Sequence, residues 1–77
     1  MNFVFAGTYT EAVHFIEDSG WLPEEVKMFS NDRATEGLRF VPGQDKVFVL
    51  PGTSEKVIDS VRRSAIKMGF DEISWMK

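Results

Sequence analysis

Two short apolar runs, NFVFA at residues 2–6 and KVFVL at 46–50, each lead through a Gly-Thr pair into a stretch with helical spacing. A solid apolar run this short suits a strand covered on both faces, because a half-exposed strand alternates apolar with polar residues. Strands covered on both faces require a layer on each side. The pair therefore points to helices packed on either side of a parallel sheet.

The rest of the chain fits this reading. Thr8 and Glu11 form a T-x-x-E capping box, which satisfies open amides at a helix start. The first helix runs to about Ser19, with Tyr9, Ala12, Val13 and Ile16 on its apolar face and Gly20 at its end. Residues 25–30 (EVKMFS) read as a second strand. Residues 31–45 form a long polar connection with one helical turn around Ala34–Leu38. Residues 54–68 form a second helix, with Val57, Ile58, Val61, Ala65 and Met68 as its buried stripe. Gly69 ends it, and residues 72–76 (EISWM) form a last strand. The order is β-α-β-(loop)-β-α-β, with right-handed crossovers expected. The prediction is one domain over residues 1–77: a three-layer, Rossmann-like α/β fold with four mostly parallel strands. The favoured strand order is 2-1-3-4, with 3-2-1-4 as the alternative.

A weak repeat underlies this order. VFAGTYTEAV and VLPGTSEKVI align on Gly7-Thr8 and Gly52-Thr53, 45 positions apart. Capping preferences alone favour Gly followed by Ser or Thr at a strand-to-helix turn. Duplication or a shared ligand duty is the sharper reading.

Composition removes several functions. Net charge is −3, which argues against coating nucleic acid. There are no cysteines, so disulfides, thiolate catalysis and cysteine-ligated zinc are excluded. Their absence fits a reducing cytoplasm. No apolar run approaches the roughly 18–20 residues that span a bilayer, and the first residues lack the basic start of a secretory signal. Neither a membrane nor a secreted setting is expected.

Two candidate surfaces remain. With order 2-1-3-4, the two Gly-Thr turns share the carboxyl edge of neighbouring strands, where ligands of such sheets bind. Gly7, Thr8, Tyr9, Gly52, Thr53 and Ser54 are the candidate ligand-binding residues. Two helix N-termini there would suit a phosphate or nucleotide, with Arg33 or Arg39 reaching over from the long connection. The detailed motifs are missing, however. There is no G-x-G-x-x-G and no P-loop lysine, and Leu50-Pro51 stands where a magnesium-binding Asp would sit. Capped, empty helix ends are the plainer reading, and no cofactor is expected.

The second candidate is a partner surface of Arg62, Arg63, Ile66, Lys67 and Trp75. Lys56, Arg63 and Lys67 form one cationic stripe beside Arg62, which also complements the helix dipole. Ile66 lies off the apolar stripe. Trp75 sits on a short terminal strand, and an open edge beside an aromatic invites a second chain. The plainer reading is a solvated helix face and a tryptophan that seals the core. His14, the one histidine, shares a solvated strip with Glu11 and Asp18 in the middle of a helix. That strip supplies neither a metal site nor a catalytic triad. No nucleophile, base or metal cluster presents itself, so the expected role is binding, not catalysis.

One likeness adds to this. FVFAGTYTEAVHFIEDSGW…VKMFSND…TEGLRF…KVFVLPGT, within residues 3–53, resembles small bacteriophage-encoded proteins, especially those of phages infecting actinobacteria. They share an apolar strand ending in A-G-[ST]-Y, an acidic amphipathic helix ending in glycine, a Gly-Leu-Arg segment, and a second apolar strand ending in Gly-[ST]. The resemblance implies a Rossmann-like domain in the cytoplasm of an infected bacterium, acting as an accessory or host-interaction protein. Its partner would be a host or phage protein, or a second copy in a homodimer. It brings no catalytic residue. EGLRFVPGQDKVFVL is also similar to the stretch before the acidic strand end of RecA-like ATPases. Leu50-Pro51 replaces the acidic pair and no P-loop lies upstream, so that likeness implies lost ATP hydrolysis.

Overall fold

The computed structural model describes residues 1–30 and 40–76. The expected helical turn at Ala34–Leu38, and both Arg33 and Arg39, lie outside the described residues. In chain order the elements are β1 (Asn2–Phe5), α1 (Tyr9–Ser19), a 3-10 turn (Pro23–Glu25), β2 (Val26–Phe29), β3 (Lys46–Val49), α2 (Glu55–Met68) and β4 (Ile73–Trp75). The four strands form one sheet in the order β2-β1-β3-β4, and every pairing is parallel. The favoured order holds, and the sheet is wholly parallel.

Strand alternation sorts the side chains onto two faces. Phe3 and Phe5 of β1 and Val47 and Val49 of β3 join Val57, Val61 and Ala65 of α2 in one buried cluster. Val4 and Ala6 join Ala12 of α1 and Leu50 in the other. The helices thus cover opposite faces. They must, because β2 lies outside β1 and β4 outside β3, and connections of one hand then leave on opposite sides.

This geometry gives the repeat a physical meaning. The sheet register pairs β1 with β3 at an offset of 44 positions, one fewer than the 45 of the repeat, so aligned strand residues face opposite ways. Val4 faces α1 and its counterpart Val49 faces α2; Phe5 and Leu50 are reversed in the same sense. The equivalence continues into the helices, where Ala12 and Val57 are both buried. The two βαβ units are related by an approximate two-fold axis between β1 and β3. The repeat slips by one residue at the N-caps, where Thr8 caps α1 but Ser54, not Thr53, caps α2, and it ends within the helices, since α1 has 11 residues and α2 has 14.

Aromatic rings fill both layers. On the α2 side Phe5 stacks on Phe29 with centroids 4.9 Å apart, and Phe40 sits edge-on to Phe3 at 5.1 Å. On the α1 side Trp21 lies 5.1 Å from Phe48 and 5.8 Å from Phe15. Each fully buried phenylalanine contributes about 2–3 kcal/mol, so these rings carry much of the stability of so small a domain. Phe40 and Phe70, which sequence patterning leaves outside any element, are both buried. Asp45, the one buried charged side chain among the described residues, accepts the Val41 N–H at 2.7 Å and folds the turn before β3.

The expected face of α1 needs two corrections, the first being that Val13 is half-buried and joins neither core cluster. The second is that Tyr9 is 63% exposed. It opens the helix at the carboxyl rim of the sheet, where it borders only a shallow hollow against the end of β2. Phe15 takes its place, packing with Ala12 and Ile16 as an i, i+3, i+4 set.

Gly7 is fixed by a close approach. A Cβ there would lie 2.6 Å from the Gly52 carbonyl oxygen and 3.0 Å from its carbon. Both clashes are with backbone, so neither relaxes cheaply. Gly7→Ala is expected to cost about 2 kcal/mol and to lower the melting temperature by roughly 10 °C. Thermal denaturation followed by circular dichroism checks this; an unchanged melting temperature would mean that the turns do not touch.

Candidate functional site

Both Gly-Thr turns emerge at the carboxyl rim of the sheet, as the favoured strand order requires. The space between them is already used by the protein. The Leu50 N–H donates to the Phe5 carbonyl at 2.8 Å. The Thr53 hydroxyl donates to the Leu50 carbonyl at 2.8 Å, with the Phe5 carbonyl a second acceptor at 3.2 Å. Thr53 therefore clasps the ends of β1 and β3 together.

On the α1 side the capping box forms in part. The Glu11 N–H donates to the Thr8 hydroxyl oxygen at 3.3 Å, and that hydroxyl donates to the Glu11 carboxylate at 3.2 Å. Glu11 thus turns back from the strip it shares with His14 and Asp18. Its carboxylate comes within 3.6 Å of where a Cβ on Gly52 would lie. A negative group already stands over the second turn and opposes a bound phosphate there.

The open space lies one strand further out. A cleft of about 560 Å³ runs from the ends of β3 and β4 to the first turns of α2. Gly52 and Thr53 line one wall, Arg62 and Trp75 another, and Val49, Ile58 and Met76 supply apolar surface. The Arg62 guanidinium carbon sits 5.1 Å from the Trp75 ring centroid, a cation–π pair at the mouth. Glu55 contributes the opposite charge. Ser54 caps α2 by accepting the Val57 N–H at 3.3 Å.

The structure therefore regroups the sequence candidates. Gly52, Thr53, Arg62 and Trp75 meet around one cleft, although sequence reading divides them between a ligand site and a partner surface. Gly7, Thr8, Tyr9 and Ser54 do not line it. Tyr9 borders a small hollow of about 110 Å³ with Met28 and Ser30 instead. Ile66 lies one turn beyond Arg62 and is 81% exposed, while Arg63 and Lys67 are exposed on α2. Met76 and Glu55 are site residues that sequence reasoning passes over. No motif marks either one, since only the register of β4 against β3 brings Met76 to the cleft.

Among the described residues, no group of His, Cys, Asp or Glu side chains is arranged to hold a metal ion. No described helix is long and apolar enough to cross a membrane. Comparison with known proteins finds no matching family model, no matching curated protein and no matching solved structure.

The two roles of Thr53, clasp or ligand contact, separate on stability. As a clasp, Thr53→Val is expected to cost about 1 kcal/mol and to lower the melting temperature of the ligand-free protein by roughly 5 °C. A melting temperature within error of the parent would remove the clasp.

Proposed function

We propose that this chain is a non-catalytic binding module that acts through protein–protein contacts, in the phage-type accessory setting that its sequence resemblance implies. The observation that supports the reading is the apolar surface on the β4 side of α2. Ile66, one turn along α2 from Arg62, is 81% exposed, and Trp75 and Met76 at the end of β4 are 39% and 38% exposed. Arg62 lies over Trp75. Tryptophan, methionine and arginine are enriched at the centres of protein interfaces, where charged groups other than arginine are depleted. The patch flanks β4, which among the described residues pairs only with β3 and so is an edge of the sheet that offers a partner backbone groups as well. An isolated exposed isoleucine needs no explanation; one grouped with these three residues does.

The test uses Ile66→Glu. Ile66 makes no contact with the core, so the substitution is expected to leave the melting temperature nearly unchanged. Capture of a partner from bacterial lysate, present with the parent protein, is expected to disappear. Equal capture by both proteins would remove this surface from the reading.

The cleft beneath the patch supports a second reading, a small-ligand module. Its volume of about 560 Å³ falls within the roughly 300–1,000 Å³ of small-molecule sites. The Arg62–Trp75 pair favours a planar anionic compound such as a nucleotide. A nucleotide at 100 times its Kd raises stability by about 2.7 kcal/mol. A thermal-shift series with nucleoside monophosphates is expected to show that rise for the parent and lose it in Arg62→Ala. No shift with any of them would leave the protein-contact reading alone.

A further inference from the structure

We propose that the occupant of the β4 edge is a second copy of this chain, joined through antiparallel pairing of β4 with β4 about a two-fold axis at Ser74. The proposal rests on the reading of this side as the working surface and names its partner. The backbone sets the register. The Glu72 carbonyl accepts from Val47 N–H and the Met76 N–H donates to the Val49 carbonyl, so Glu72 and Met76 point at β3. Alternation aims Ser74 the same way and turns the N–H and C=O groups of Ile73 and Trp75 outward. Antiparallel pairing centred on Ser74 sets Ile73 of each copy opposite Trp75 of the other. Both residues then sit in hydrogen-bonded positions, and the pairing closes as a symmetric dimer.

The side chains match the same register. Ile73 and Trp75 share the α2 face, so each cross-strand pair joins a β-branched residue to an aromatic one, a favoured combination. Charge is self-complementary. Asp71 and Glu72 precede β4, while Arg62 lies over its last residue. An antiparallel second copy brings the acidic start of one strand beside the basic end of the other. The other edge strand, β2, carries the exposed Lys27 within it, a charge that resists strand addition. No charge interrupts β4 between Ile73 and Trp75.

The absence of cysteine makes the register testable. Across the axis, Ser74 faces Ser74 of the second copy in a non-hydrogen-bonded pair, whose Cα separation of about 4.5 Å suits a disulfide. Light scattering after size exclusion is expected to give twice the 8.8 kDa chain mass at high concentration. Ser74→Lys places like charges across the axis at an exposed position and is expected to give the single-chain mass with unchanged circular dichroism. Ser74→Cys is expected to oxidise to a covalent dimer, and Lys27→Cys to remain largely reduced. A single-chain mass for the parent at every concentration would overturn the proposal. So would a Ser74→Lys dimer, or a Ser74→Cys that oxidises no faster than Lys27→Cys. Ile66-dependent capture of another protein by a strictly monomeric parent would overturn the dimer and leave the protein-contact reading standing.

Discussion

The contact of Gly7 with the Gly52 carbonyl holds the rest of the structure in place. It allows the carboxyl ends of β1 and β3 to lie side by side, where the Phe5 carbonyl accepts from Leu50 N–H and stands beside the Thr53 hydroxyl. With those strands adjacent, each must find its second neighbour on the outside, and each helix must take its own face. The two core clusters, the approximate two-fold relation and the position of β4 as an edge all follow. A side chain at residue 7 would separate the two halves where they are joined.

The same contact decides what the rim can bind. Sheets of this order commonly take ligands between the two central turns. Here Gly7 packs against Gly52, Thr53 clasps the strand ends and the Glu11 carboxylate stands above. The open space moves outward to the β4 side, where α2 and a short strand leave a cleft beneath exposed apolar residues. The proposed protein contacts and the second, small-ligand reading both draw on this asymmetry, and Arg62 and Trp75 serve in each.

Much of this architecture was legible in residues 2–6 and 46–50, because a short, solid apolar run has few ways to hide both faces. Strand order was less legible: right-handed crossovers allow both 2-1-3-4 and 3-2-1-4, and the structure has the favoured first one. Tyr9 was misplaced because helical spacing defines a face but not how far the helix overlaps the sheet; the first position stands at the rim, where only the end of β2 lies near it. Thr53 resembled a cap because local sequence cannot show a hydroxyl reaching the strand at residue 5. The meeting of Arg62 with Trp75, 13 positions along the chain, depends on the register of β4 and has no local signature. Phe40 and Phe70 were passed over for a similar reason. Their burial comes from loops folded back on the sheet, which periodicity does not detect.

The central claim is that β1 and β3 run parallel as neighbours and meet at residues 7 and 52. Nuclear Overhauser contacts in the folded protein read this most directly. The account predicts contacts from the Gly7 α-protons to Gly52 and Thr53, with a parallel pattern pairing Phe5 with Val49 and Phe3 with Val47. Close α-proton to α-proton contacts between these strands, the mark of an antiparallel pair, would contradict it.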